Sequence, residues 1–372
     1  MTGRHISNEL VDHILDNLYF DRDTLLDCAL VGRAWVCSSQ RGIFREIILR
    51  LPAYHPSHLA IFVEVYLKTT THLDTLFAEK PYIASYVRSL ELRTPREYSS
   101  ALPEVVYSAT TSLVRRLSSL NSLSFVCVNW RGLPPLLQAA LTEICEAPSI
   151  TRLSAIDFYP FPELAPLLSH MKNLKMLDVT RNDWLGPILL PEFGEEGSHP
   201  PRRIQLDELQ LRLNNVRSFI HWSQQDSCPL GIHNLKSLEI ISGVDVVAFR
   251  YFGTDLRELT LRGYPNRALN LAHLTNLRSL SLVDLYETGT ETDSPAFWMQ
   301  ALFKPLPNSE GNIFPLQHLT INFTLYLSTD PLNSCHWNRW AAFDTLLGKP
   351  EFASLETVEL EASFKSRISD FQ

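Results

Sequence analysis

The stretches LKSLEI at residues 235–240, LRELTL at 256–261 and LRSLSL at 277–282 repeat one string, leucine at places one and four and a leucine or isoleucine at place six. They recur at intervals of 21 residues. Side chains two apart in a strand point to the same face, so places four and six predict a short strand with one apolar side. Place one lies a turn earlier and packs beneath it. A lone strand of this kind cannot bury its apolar face, so copies must stack on one another.

Working outward, the string recurs, with Ile, Val or Phe allowed, at Val87/Leu90/Leu92, Leu120/Leu123/Phe125, Ile150/Leu153/Ile156, Leu174/Leu177/Val179 and Leu206/Leu209/Leu211. Beyond the central copies it returns at Leu316/Leu319/Ile321 and Leu355/Val358/Leu360. The ten middle residues are spaced by 21 to 39 positions, and the longer steps must contain helices or loops. Apolar residues recurring every three or four predict helical returns at Ser108–Leu117, Leu136–Glu146, Glu163–His170 and Ala296–Phe303. Over residues 85–362 the pattern resembles the leucine-rich repeat, although the asparagine or cysteine that normally follows the strand is missing from most copies. The resemblance implies an irregular solenoid, a horseshoe whose strands line a concave face. The rival account is chance recurrence of the string in a leucine-rich α/β protein. Against it stand the shared flanks Asn173-Leu-Lys, Asn234-Leu-Lys-Ser and Asn276-Leu-Arg-Ser.

The first fifty residues follow another rule. Ser7 is placed to cap a helix, and Leu10, Val11, Ile14, Leu15 and Leu18 follow at helical spacing with Glu9 in the first turn. Asp21 or Asp23 offers the next cap, for a helix carrying Leu25, Leu26, Ala29 and Leu30. After Gly32 a third helix carries Ala34, Trp35, Ile43 and Phe44. Three helices this short bury little apolar surface by themselves and call for a partner.

The string HISNELVDHILDNL, and after it DTLLDCALVGRAWVCSSQRGIFREIIL, resembles an F-box, most closely those of mushroom-forming fungi. Glu9-Leu10, Ile14-Leu15, Leu30-Val31 and Arg33-Ala34-Trp35 stand in the family's order, with Ser7 in place of the usual proline and Gly32 where cysteine is frequent. The resemblance implies that Ile6, Leu10, Ile14, Leu30, Val31 and Trp35 serve docking onto a Skp-family adaptor and through it a cullin. The protein would then be the substrate-recognition subunit of a ubiquitin ligase and not an enzyme. The other reading makes the helices a plain cap on the repeats, and the protein an interaction scaffold outside any ligase. The expected organisation is α/β: an F-box at 4–50, a helical connector at 51–84 and a repeat domain at 85–372.

Composition narrows the function. The net charge is −8, from 41 acidic against 33 basic residues, and no Lys/Arg block exceeds the pairs Arg115-Arg116 and Arg202-Arg203. Nucleic-acid binding needs clustered positive charge and is not expected. No apolar run suits a membrane span or a signal peptide, so a cytoplasmic or nuclear protein is expected. The six cysteines lie far apart and read as reduced, mostly buried thiols. His55-x-x-His58 has no third ligand nearby, so no metal is expected. No phosphate loop, nucleophile elbow or dinucleotide fingerprint occurs, and no catalytic or cofactor-binding residue is assigned.

Residues at the polar places of the predicted strands would face a protein substrate. The candidates are Glu208, Gln210, Arg212, Glu239, Glu258, Arg262 and His318, on a face that reads as acidic through its middle. A second candidate surface is the loops 183–203, 286–314 and 323–350, which carry Trp184, Trp298, Trp337 and Trp340.

Overall fold

A computed structural model describes residues 7–53, 58–95, 102–158, 164–180, 203–213, 216–225, 228–241, 252, 255–263, 271, 274–287, 302–303, 314–327 and 337–366. The chain forms two units, Met1–Leu174 and Lys175–Gln372. Both are mixed α/β, built on strands that pair in parallel.

The first unit opens with three helices, α1 (Asn8–Asp16), α2 (Arg22–Val31) and α3 (Arg33–Ile43). Strand β1 (Glu46–Arg50) follows α3 after a two-residue turn. Then come α4 (Leu59–Glu79), α5 (Pro81–Ala84), β2 (Ser89–Arg93), α6 (Glu104–Arg115), β3 (Ser122–Val126), α7 (Pro135–Glu146), β4 (Arg152–Ile156) and α8 (Leu164–His170). The strands lie side by side in chain order, with Ile47, Leu90, Leu123 and Leu153 in one register row. Parallel neighbours need a crossover, and the helices supply it. Successive helices α4, α6, α7 and α8 pack on one another. The hydroxyl of Tyr66 on α4 meets Thr110 on α6 at 2.7 Å, and Asp74 pairs with Arg116 about two turns further on.

In the second unit β5 (Met176–Thr180), β7 (Glu208–Arg212), β9 (Ser237–Ile241), β10 (Glu258–Arg262), β11 (Ser279–Glu287), β12 (His318–Leu327) and β13 (Thr357–Ser366) again pair in chain order. Two short strands, β6 (Ile204–Gln205) and β8 (Leu230–Gly231), pair separately. Helices α9 (Val216–Gln224) and α10 (Trp337–Leu347) lie between strands in the chain.

Alternation explains the strands. Leu90 and Leu92, Leu123 and Phe125, Leu209 and Leu211, Leu238 and Ile240, and Leu280 and Leu282 are all buried, and the residues between them are half-exposed. Full burial of each leucine contributes about 1.5–3 kcal/mol. Place one of the string is buried as well, from Val87 to Leu316.

The structure corrects the sequence reading at several points. Residues 46–50, assigned to the helical module, are a strand, and Phe44/Ile47/Leu49 is an eleventh copy of the string. The segment read as a connector, 51–84, holds α4 and α5, which link β1 to β2 as a crossover. In β4 the buried residue at place six is Ala155, not Ile156. Trp337 and Trp340, read as loop residues, lie in α10. Trp184 and Trp298 lie outside the described residues, as does most of the predicted helix 296–303, of which Leu302 and Phe303 are buried.

Candidate functional site

The helical module is held by a small core. Val11 and Leu15 of α1 and Leu25 of α2 are buried, with Leu18, Cys28, Trp35 and Ile43 packed around them. The Ser7 hydroxyl accepts from the Leu10 N–H at 3.4 Å. Asp21, not Asp23, caps α2: its carboxylate accepts from the Thr24 N–H at 3.0 Å and from the Thr24 hydroxyl at 2.7 Å, and these bonds hold its carboxyl below the usual range. The Ser38 hydroxyl donates to Asp12 and ties α3 to α1.

That packing splits the apolar stripe expected on α1. Val11 and Leu15 face the core, whereas Leu10 is 50% exposed and Ile14 39%. On α2, Leu30 is 85% exposed and Val31 69%. Of the six predicted docking residues, these four stand in solvent, Trp35 is half-buried against the core, and Ile6 lies outside the described residues. Three further exposed apolar residues, Tyr19, Phe20 and Leu26, escaped the sequence reading. The adjacent pairs Leu10-Val11 and Ile14-Leu15 carried the signal, since neighbours 100° apart on a helix cannot all face one small core.

The seven candidates on the polar strand face fall into two groups. Arg212, Glu239 and Arg262 meet: one Glu239 oxygen accepts from the Arg212 Nη2 at 3.3 Å and from the Arg262 Nε at 2.6 Å. Arg262 also donates from Nη1 to Asp284 at 3.0 Å, a partner the sequence reading missed. Two guanidinium groups and two carboxylates thus compensate one another, and the middle of this face is less acidic than its glutamates suggest. Glu208 and Glu258 are exposed and stand in one register row on either side of Ser237, about 10 Å apart by strand spacing. His318 is exposed in the same row, paired across β11 Ser279, and Gln210 is half-exposed beside Glu239.

Just before this row, Asp207 lies between Lys175 and Lys236 at 3.8 and 2.9 Å. The Lys236 hydrogen bond holds its carboxyl below the usual range. Near the other end of the sheet, Asn322 donates to Glu361 at 2.9 Å and Thr324 meets Ser363 at 2.9 Å.

Among the described residues no group of three or more His, Cys, Asp or Glu is disposed to hold a metal. His55 lies outside them. No described helix is long and apolar enough to cross a membrane. Among the described residues no cysteine is in a disulfide: Cys145 and Cys228 are buried, Cys28 and Cys127 half-buried and Cys37 exposed. No protein-family model matches the chain, and no curated protein is significantly similar to it.

Proposed function

We propose that the protein is a substrate receptor of a Skp-cullin-F-box ubiquitin ligase. In this reading α1 to α3 form an F-box that docks a Skp-family adaptor, and the parallel strands with their crossover helices form an irregular leucine-rich-repeat solenoid that binds a protein substrate. The chain itself carries out no chemistry. One observation carries the reading. Leu10, Ile14, Leu30 and Val31, the positions at which the F-box motif keeps apolar residues, stand in solvent, while a separate set of residues builds the core of the module. Apolar residues needed only for folding would be inside. Large apolar side chains gathered on one small module and left in water mark an interaction surface.

Because Leu30 contributes nothing to the helical core, Leu30→Asp is expected to abolish co-purification with a Skp-family adaptor and to leave the melting temperature within about 2 °C of wild type. Leu25→Asp, inside the core, is expected to unfold the module and lose the adaptor with it. If the wild-type chain and Leu30→Asp capture the adaptor equally, or neither does, the scaffold reading replaces the ligase one.

A further inference from the structure

The residues just before the strands of the first unit form a ladder. The Arg45 carbonyl accepts from the N–H groups of Arg88 and Ser89 at 2.8 and 3.0 Å, and the Arg88 carbonyl accepts from Asn121 and Ser122 at 2.8 and 3.0 Å. The Asn121 carbonyl accepts from Thr151 and Arg152 at 3.0 and 3.1 Å. Residues 45, 88, 121 and 151 therefore stand in a column, one strand spacing apart, about 14 Å from first to last.

Beside this column lies an open cleft of about 950 Å³. Its floor is Ile48, Arg50 and the first residues of β2 to β4, and one wall is Tyr19, Phe20 and Arg22 at the turn from α1 to α2. Five arginines line it, Arg22, Arg45, Arg50, Arg88 and Arg152, against the single carboxylate of Glu46. All five are exposed, and among the described residues none is paired with a carboxylate. The Arg45 guanidinium lies 4.5 Å from the Tyr19 ring centre, and Arg88 donates from Nη1 to the Ser119 carbonyl at 3.1 Å.

Apart from these contacts of Arg45 and Arg88, no described contact offsets this concentration of charge. Like charges on neighbouring strands repel, and the chain as a whole carries −8. In the second unit part of the same column is compensated, Asp207 pairing both Lys175 and Lys236, while Arg257 and Arg278 continue it as exposed cations. Among the described residues the five arginines have no such partner.

The backbone N–H groups of the column are spent on the ladder, so recognition falls to side chains. Backbone amides are what helix termini and nests use to hold phosphate. Guanidinium groups match carboxylates and phosphates alike, two bonds at a time. Tyr19, Phe20 and Ile48, all exposed, add apolar surface that a simple anion has no use for. A span of about 14 Å suits about four residues of extended chain. From charge complementarity, apolar lining and length, we infer that this cleft binds an extended acidic segment of a partner protein, its carboxylates on the arginines and an apolar side chain against Tyr19 and Phe20. Leu10, Ile14, Leu30 and Val31 are not among the residues that line the cleft, so its occupation is expected not to depend on adaptor docking.

The test uses the purified full-length chain and a fluorescein-labelled peptide of about ten residues, rich in Glu and Asp around one Phe, read by anisotropy. Binding is expected to weaken as NaCl is raised. It should fall at least about tenfold in the Arg88→Glu/Arg152→Glu double variant and several-fold in Arg50→Ala. It should be unchanged in Arg115→Glu, on α6 outside the cleft, and in Leu30→Asp, which separates this site from the adaptor surface. Should the double variant fail to fold by circular dichroism, Arg50→Ala decides alone. Equal binding by a peptide with Gln in place of every Glu and Asp overturns the inference, as does wild-type binding by the folded variants. So does tighter binding of tripolyphosphate or of a single-stranded oligonucleotide that displaces the peptide, because the cleft would then be a phosphate site.

Discussion

Cys127, Asp157, Gly263 and Asp284 share a backbone state that their chemistry does not suggest. Each follows five strand residues in its copy of the string, and each has positive φ, at 59°, 50°, 75° and 57°. Only glycine adopts this region freely, and aspartate tolerates it better than most. At the ends of β3 and β10 the N–H still bonds to the next strand, Cys127 to the Ile156 carbonyl at 2.7 Å and Gly263 to the Val283 carbonyl at 2.8 Å, whereas Asp284 lies inside β11 where its pairing with β12 shifts register. Cys145, Cys228 and Cys37 differ chiefly in burial. Burial pushes Cys145 up to about 12 and Cys228 up to about 11, whereas Cys37 is exposed. Since the thiolate is the reactive form, brief N-ethylmaleimide treatment of the folded chain at neutral pH is expected to alkylate Cys37 and spare Cys145 and Cys228. Peptide mass spectrometry reads the outcome, and equal labelling of all three would mean that the burial is wrong.

At the scale of elements, the crossover helices are joined to one another by polar contacts at a few points. The Arg116 guanidinium and the Ser112 hydroxyl beside Asp74 on α4 hold its carboxyl below the usual range. A carboxylate depressed in the folded state contributes stability that is present above the ordinary carboxyl pKa of about 4 and is lost as pH falls through the lower folded value. Asp74→Asn is therefore expected to melt slightly below wild type at neutral pH, with the gap closing in acid; thermal melts across that range check it, and a gap that widens in acid contradicts it. The strand copies also differ in what they bury. Leu280 and Leu282 of β11 are fully buried, but Leu360, which holds the place of Leu282 in β13, is 54% exposed. Leu280→Ala is expected to cost about 2–5 kcal/mol and Leu360→Ala under about 1 kcal/mol, measured by urea unfolding.

Over the whole chain, all ten strings read from the sequence became strands in parallel register. A string with apolar residues two apart and another three before carries its own instruction, because period two and one buried face admit one local answer. Three of the four predicted helical returns, at α6, α7 and α8, formed for the same reason, an apolar stripe at helical spacing. The amphipathic α9 was overlooked, and β1 went unseen because Phe44 had been counted into the preceding helix. The arginine cleft was invisible in principle: Arg22, Arg45, Arg88 and Arg152 lie far apart in the chain, and an overall charge of −8 argues against any basic site. The sequence by itself therefore determined most of the strands, several of the helices between them and the N-terminal helices, all matters of local spacing and apolar burial. Tertiary structure alone decided which of α1's apolar residues stay in water, that Glu239 holds two arginines, and that five others line one cleft. Those outcomes depend on distances between residues remote in sequence, which only parallel stacking of the strands and packing of the helices bring together.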